Sequence, residues 1–345
     1  MKIDSRTIGP GQPPYIIAEL SANHNGNIEN AFAIMDAAKA AGADAVKIQT
    51  YLPDTITIDH DGPEFTIKDG LWGGQKLFDL YEWAHTPWEW HEALFEKARS
   101  LGITLFSSPF DHTAVDFLEE LNAPAYKIAS FELVDLPLIR RVAATNKPII
   151  MSTGMADDIE IGEALDAARG AGARDIVLLH CVSGYPAPAS DYNLATIPNM
   201  AARFNVMTGL SDHTLDNTAA IASVSLGVVV IEKHITLDRT GGGPDDSFSL
   251  EPGELEQLIV GTRTAWEAVG RVDYGLKSSE QGNAQFRRSL YVVQDIPAGG
   301  ELTSDNIRSI RPGYGLAPKY YDEVLGRHAK KALTRGTALC FGQLQ

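Results

Sequence analysis

Short apolar runs recur along the chain, and each run ends in polar side chains. Most of the runs are separated by segments in which apolar residues recur at helical spacing. A strand followed by a helix, repeated eight times, predicts a (β/α)8 (TIM) barrel. In that fold the active site gathers at the carboxyl ends of the strands, where these polar residues fall. The eight runs cover residues 15–19, 45–49, 103–108, 125–130, 148–153, 176–181, 206–213 and 228–234.

The longest connection joins the second and third runs, from Tyr51 to about His85, and carries several glycines. A connection of this length in a compact domain is usually functional or forms a lid. We expect the next helix to begin directly after it, with Thr86 as N-cap, Pro87 in the first position and Glu89 closing a capping box. Other helices are expected over 27–41, 112–121, 136–145, 157–170, 215–226 and 252–269, and in the second half of 186–202.

The chain changes character towards its carboxyl end, where short strand-like pieces alternate with turns from Arg287 onwards. A length of 345 residues accommodates a barrel of about 250 residues and a small second domain. We therefore expect a catalytic barrel over 1–270, a linker over 271–285 and a small domain over 286–345. About 60 residues give a thin core, so this domain is expected to dock on the barrel or on a partner subunit.

Composition narrows the class of protein. The formal net charge of −16 argues against a nucleic-acid binder, which is usually basic. No apolar run approaches the roughly 18 residues that span a membrane, and the amino terminus lacks a signal-peptide pattern. Two cysteines, Cys181 and Cys340, provide no disulfide framework. These features predict a protein of the cytoplasm that binds neither nucleic acid nor membrane.

Two histidines indicate a metal site. His213 and His234 follow the seventh and eighth strands, which are neighbours in a barrel and about 4.8 Å apart. Asp212 and Lys233 flank them and favour a charged site. Two imidazoles leave coordination positions open for a substrate oxygen. We predict a divalent ion, first Mn²⁺, with Mg²⁺ or Co²⁺ as alternatives; two ordinary hydrogen-bonded histidines are the other interpretation.

Two lysines within strand-like runs indicate an anion site. Lys47 and Lys127 should repel each other inside a barrel unless an anion lies between them. Together with serine hydroxyls they suit a small phosphorylated carboxylate. Alternatively, each lysine pairs with Glu19 or Glu132, and these same carboxylates are candidates for proton transfer. The remaining candidates are Gln49, Ser108, Ser130, Ser152 and Asp245.

Several motifs, taken together, resemble the sialic acid synthase family over almost the whole chain. They include Ala18–Gly26, Gly42–Gln49, Lys127–Ser130, Gly209–Thr214 and Glu232–His234. The tail from Arg287 to Gly313 is similar to the antifreeze-like domain (SAF, β-clip) of those enzymes.

Within the family, two details resemble the pseudaminic acid synthases: Glu19–Ala22, and Gly70–Gly74 followed by Tyr81–His91. After Cys181 this chain has Val182 and Ser183, where sialic acid synthases commonly have Thr-Asn.

The resemblance implies a carbon–carbon bond-forming transferase. It would condense phosphoenolpyruvate with 2,4-diacetamido-2,4,6-trideoxy-β-L-altrose, giving pseudaminic acid and phosphate for glycosylation of flagellin or cell-surface glycans. His213 and His234 would hold the metal ion. The roles implied for the other residues are phosphoenolpyruvate binding by Lys47, Lys127, Ser108, Ser130 and Ser152, and sugar contacts by Glu19, Gln49, Glu132, Tyr185, Ser211 and Asp245.

The resemblance also implies a domain-swapped homodimer in which Arg311 reaches the partner's active site. Three alternatives stay open. The first is the same reaction on N-acetylmannosamine or a legionaminic acid precursor, and the second is a metal-dependent aldolase. The third is an ice-binding role for the tail, against which its many basic residues argue.

Overall fold

A computed structural model describes all 345 residues, which divide into two compact units, Met1–Gly270 and Arg271–Gln345. In the first unit eight parallel strands close into a barrel, which confirms the predicted fold. Two two-residue strands, β1 (Lys2–Ile3) and β2 (Arg6–Thr7), pair as an antiparallel hairpin ahead of the barrel. The barrel strands are β3 (Tyr15–Glu19), β4 (Ala45–Thr50), β5 (Thr104–Pro109), β6 (Tyr126–Ile128), β7 (Ile149–Ser152), β8 (Ile176–Cys181), β9 (Met207–Asp212) and β10 (Val230–His234).

Alternation along each strand divides its side chains between two environments. In β4, Val46 and Ile48 join the large core between strands and helices, whereas Ala45 joins a second core inside the barrel. Lys47 and Gln49 continue the inward series and line a cavity at the carboxyl end. The inner core closes the opposite end of the barrel, so polar inward residues can gather only at the carboxyl end.

The helices of the first unit follow the predicted order. The first helix shows why its sequence is helical: Asn27 caps it by accepting a hydrogen bond from the Glu29 N–H, and Gly42 ends it in the left-handed conformation. The helices are α1 (Ile28–Ala41), α2 (Pro53–Ile56), α3 (Leu77–Ala84), α4 (His91–Leu101), α5 (His112–Glu120), α6 (Leu136–Ala143), α7 (Asp158–Gly170), α8 (Thr196–Phe204), α9 (Thr218–Val224) and α10 (Pro252–Val269). Short 3-10 turns lie at Pro63–Phe65, Trp88–Trp90, Phe131–Val134, Ala189–Asp191 and Asp246–Phe248.

The predicted start of α4 was wrong. Pro87 has an extended backbone, a 3-10 turn over Trp88–Trp90 follows, and α4 begins only at His91. Thr86 caps nothing, because its hydroxyl is buried without a hydrogen-bond partner. The segment predicted as one long loop also contains two short helices, α2 and α3. The sequence pattern did not reveal them because each is short and glycine-containing turns separate them.

The second unit is built differently. After a 3-10 segment, Ser278–Phe286, the strands β11 (Ser289–Val292) and β12 (Ile307–Ile310) pair antiparallel. Isolated bridges and a small apolar core complete it, with 3-10 turns at Pro318–Tyr320 and Phe341–Gln343 and a last helix, α11 (Tyr321–Val324). Residues 271–283 are all exposed. No helix in the chain is both long and apolar enough to cross a bilayer.

Candidate active site

A cavity of about 400 Å³ opens at the carboxyl ends of the barrel strands. All but two of the predicted site residues line it: Glu19, Lys47, Gln49, Lys127, Ser130, Glu132, Ser152, Tyr185, Ser211, His213, His234 and Asp245. Ser108 is fully buried behind the wall and binds the Lys47 ammonium at 3.2 Å. Arg311 belongs to the second unit, where it is exposed to solvent.

Buried carboxylates accompany the two lysines. Lys47 Nζ lies 3.0 Å from Glu19 Oε2 and 3.4 Å from Glu232 Oε1, and Lys127 Nζ lies 3.7 Å from the same Glu232 oxygen. The anion expected between the lysines is thus already present as a side chain, that of Glu232. Sequence reasoning did not select Glu232 as a site residue, although it lies two positions before His234 on the same inward face of β10.

The two lysines differ in electrostatic environment. Burial lowers the pKa of Lys47, but the carboxylates of Glu19 and Glu232 outweigh it and raise that pKa above the usual range. Burial dominates at Lys127 and lowers its pKa, because only one carboxylate lies within ion-pair distance. Lys47 is therefore a firmly charged member of an ion-paired cluster. Lys127 retains hydrogen-bond donors for an incoming anion.

A chain of hydrogen bonds connects four residues of the wall. Gln49 Nε2 donates to Glu19 Oε1 and to Ser21 Oγ, both at 2.9 Å. Ser21 Oγ in turn donates to Asp245 Oδ2 at 2.5 Å. The chain therefore joins the ends of β3 and β4 to the loop that follows β10. Ser21 was another residue that sequence reasoning missed, since a serine after a strand carries no distinctive signal.

The two imidazoles lie side by side, with ring centroids 5.4 Å apart. His213 Nδ1 is 2.8 Å from the Val182 carbonyl oxygen. Because a carbonyl only accepts, Nδ1 carries the proton in this bond. Burial lowers the pKa of His213, but its interactions with the Cys181 thiol and the Val182 carbonyl outweigh burial and raise that pKa. His234 Nδ1 is buried without a hydrogen-bond partner, and burial together with neighbouring cations holds the pKa of His234 well below its usual range.

A neutral imidazole with an unpartnered nitrogen is the form that binds a metal ion, and His234 meets both conditions. His213 lies beside it and can share a divalent cation once it releases its proton and its bond to Cys181. No group of three or more His, Cys, Asp or Glu side chains is arranged to hold a metal ion. The protein would therefore contribute two imidazoles and leave the other positions to substrate or water. Asp212 and Lys233 do not line the cavity as the sequence predicts; instead, Lys233 Nζ donates to Asp212 Oδ2 at 2.8 Å. Lys233 also binds the Thr214 carbonyl, which makes this pair structural.

Glu132 stands apart from the ion-paired cluster. It lies in the 3-10 turn Phe131–Val134, and neither lysine is within ion-pair distance of it. One carboxyl oxygen, Oε2, is buried without a partner. Burial raises the pKa of Glu132 to about 7, so this carboxyl can both hold and release a proton near neutral pH.

Apolar side chains from the long connection form the outer wall of the cavity. Trp72 is fixed by donation from its ring nitrogen to the Pro244 carbonyl at 3.0 Å, and its ring lies 5.6 Å from that of Tyr185. The connection also contributes Ile56, Ile67, Leu77 and Leu80 to this wall, and Phe110 and Phe131 join it from the ends of β5 and β6. The predicted functional loop is therefore part of the cavity, which has a charged floor and an apolar rim.

Comparison with known proteins shows likeness over both units. Residues 34–274 match the model of the NeuB family, and residues 287–344 match that of the SAF domain. The second match confirms the antifreeze-like tail expected from the sequence. A curated pseudaminic acid synthase from Campylobacter jejuni is 44% identical over 331 residues, 96% of each chain.

Two further relatives extend the likeness. An N,N'-diacetyllegionaminic acid synthase from Legionella pneumophila is 34% identical over 98% of this chain and 96% of its own length. Among solved structures, an N-acetylneuraminic acid synthetase from Leptospira borgpetersenii, crystallised with citrate, matches with a TM-score of 0.74. It shares 29% identity and covers 83% of this chain and 95% of its own.

Proposed function

The chain belongs to the NeuB family, and we propose that it condenses phosphoenolpyruvate with 2,4-diacetamido-2,4,6-trideoxy-β-L-altrose to give pseudaminic acid and phosphate. One observation carries the proposal. A single cavity presents two buried lysines, two adjacent imidazoles and a carboxyl whose pKa is raised to about 7. The 44% identity with a pseudaminic acid synthase over nearly the full length supports this choice of sugar.

Phosphoenolpyruvate would bind at the lysine end of the cavity. Lys127 keeps donors free, and the Ser152 hydroxyl is buried without a hydrogen-bond partner. Both can donate to a phosphate or carboxylate oxygen. Ser130 lies beside them in the wall, while Ser108 acts through Lys47. The site therefore suits an anion that carries two charged groups.

A divalent ion held by His213 and His234 would supply a Lewis acid for the carbonyl of the open-chain sugar. Synthases of this family are generally metal-dependent, and we propose Mn²⁺, with Mg²⁺ or Co²⁺ as alternatives. The unpartnered Nδ1 of His234 and the adjacent His213 ring, with centroids 5.4 Å apart, support this site. With a Lewis acid in place, the proposed reaction requires no covalent bond between the substrate and a lysine.

The reaction would form one carbon–carbon bond and release one phosphate. C3 of phosphoenolpyruvate bonds to the sugar aldehyde carbon, water adds to C2, and the C2–O bond to phosphate breaks. One proton of the water leaves with the phosphate as the C2 ketone forms, and the other passes to the former carbonyl oxygen. We assign this transfer to Glu132, because Glu19 is committed to Lys47 and Gln49. Lys47 and Lys127 stabilise the negative charge throughout.

The sugar would lie between the polar wall and the apolar rim. Gln49, Ser211 and Asp245 offer polar groups, and Tyr185 offers a ring face. The rim provided by Trp72 and its neighbours suits the acetamido methyl groups and the methyl group of a 6-deoxy sugar. We further propose a cytoplasmic, domain-swapped homodimer in which Arg311 completes the partner's site.

A sugar panel tests the proposal. Purified protein would be incubated with phosphoenolpyruvate, Mn²⁺ and each of three sugars: the diacetamido-altrose, the legionaminic acid precursor and N-acetylmannosamine. Phosphate release should be fastest with the first and should stop with chelator. Equal or faster use of either other sugar overturns the proposed substrate. Product formed from pyruvate without phosphate release would indicate an aldolase instead.

A further inference from the structure

Ser21 has an unusual backbone conformation. It follows β3 with φ at 48°, in the left-handed region. Glycine adopts this conformation freely, whereas a serine there is strained because of its Cβ atom. Its side chain is buried in the cavity wall, at 3% exposure for the residue. A strained residue held at a functional site points to a role for its side chain.

The hydroxyl group of Ser21 both donates and accepts. It donates to Asp245 Oδ2 at 2.5 Å and accepts from Gln49 Nε2 at 2.9 Å. The other hydrogen of that amide nitrogen goes to Glu19 Oε1. Because Ser21 and Asp245 are 224 positions apart, one hydroxyl connects the first and last loops of the barrel mouth.

These bonds fix the orientation of the Gln49 amide. Both hydrogens of Nε2 are used within the protein, so the atom left for a ligand is Oε1, which can only accept. Asp245 is likewise an acceptor and is held by the same hydroxyl. Without Ser21 the amide could rotate, and Asp245 would lose the bond that locates it between the loops.

We propose that Ser21 is a positioning residue that presents Gln49 and Asp245 as fixed acceptors to the amide N–H groups of an acetamido sugar. This inference rests on the proposed function, which it deepens by assigning sugar recognition to one wall. Phosphoenolpyruvate, bound at Lys127, makes no use of these acceptors. Loss of the hydroxyl should therefore affect the two substrates differently.

The test uses Ser21→Gly and Ser21→Ala in the full-length protein. Glycine removes the hydroxyl and relieves the strain, whereas alanine removes the hydroxyl alone. Asn205→Gly is the matched control, because Asn205 has the same φ of 48° and is exposed at the end of α8. Steady-state phosphate release gives KM and kcat for each substrate with Mn²⁺, and thermal unfolding reports the fold.

We expect both Ser21 variants to lower kcat/KM for the diacetamido sugar by about tenfold or more, the effect of losing a well-placed hydrogen bond. The KM for phosphoenolpyruvate should stay within about twofold of wild type. Ser21→Gly should melt no lower than wild type, and Asn205→Gly should keep wild-type kinetics.

Unchanged sugar kinetics in Ser21→Gly would overturn the inference. So would an equal loss for both substrates together with a lower melting temperature, since that pattern marks a purely structural role. Failure of the wild-type protein to release phosphate with any sugar would instead refute the proposed function.

Discussion

The carboxylate of Glu232 lies 3.7 Å from the ammonium of Lys127, and no other acidic side chain is within ion-pair distance of that lysine. The same oxygen is 3.4 Å from Lys47. One carboxylate therefore pairs with two buried cations. Because an unpaired buried charge is costly, this shared carboxylate lowers the cost of placing both lysines in the cavity wall.

Replacing Glu232 by Gln should destabilise the unliganded protein by about 3 kcal/mol, because both lysines lose a buried counter-charge. Phosphoenolpyruvate should restore part of this loss, so its stabilising effect should exceed that in wild type. Urea unfolding with and without phosphoenolpyruvate measures both quantities. Equal stabilisation of variant and wild type would contradict the role given to Glu232.

Lys127→Met should weaken use of phosphoenolpyruvate by about 30-fold in kcat/KM, which corresponds to about 2 kcal/mol for a charged hydrogen bond. Sugar KM should change little. Lys147→Met is the control, since Lys147 pairs with Glu119 at the surface of the first unit. An unchanged KM and kcat for phosphoenolpyruvate in Lys127→Met would remove the anion-binding role.

His213→Ala and His234→Ala should each abolish Mn²⁺ binding in calorimetry while leaving the far-ultraviolet circular dichroism spectrum unchanged. Each variant loses one of only two imidazoles that face the cavity. His60→Ala, at an exposed position, should bind Mn²⁺ as wild type does. Retention of wild-type Mn²⁺ affinity by either cavity variant would refute the metal site.

Glu132 should make folding stability depend on pH. Its pKa of about 7 in the folded state exceeds the ordinary value of 4.5, so the folded state binds the proton more tightly. Protonated Glu132 therefore makes its full contribution to folding stability below pH 4.5, and this contribution is lost as the pH rises towards and through 7.

Glu132→Gln removes that dependence. The free energy of unfolding of the variant, relative to that of wild type, should rise by about 3 kcal/mol from pH 4.5 to pH 8. Urea unfolding at the two pH values gives this difference, in which any constant cost of the amide cancels. A difference that does not change with pH would show that Glu132 ionises normally.

Arg311→Ala should abolish sugar turnover without lowering the melting temperature, because Arg311 is exposed. If domains are swapped, mixing this variant with Lys127→Met before refolding should recover activity, since one site in each heterodimer would then be intact. Each variant refolded alone provides the baseline. If mass spectrometry shows that heterodimers form and no activity returns, an intersubunit role for Arg311 is ruled out.

Much of the site was predictable because strand geometry is local. Side chains alternate along a strand, so the polar residues that end β4 and β10 could be assigned to the interior. Chain order places β9 beside β10, which brings His213 next to His234. The start of α4 was predicted too early, at Thr86, because a capping motif is common in sequences and the backbone at Pro87 overrides it here.

The sequence by itself determined the barrel, the second domain and most of the polar residues that face the cavity, because these follow from periodicity and neighbouring strands. Tertiary structure alone decided which of those residues bond one another. Glu232 joins Lys47 to Lys127, and Ser21 joins Gln49 to Asp245. Such pairings depend on differences of about an ångström between strands far apart in sequence, and no spacing along the chain encodes them.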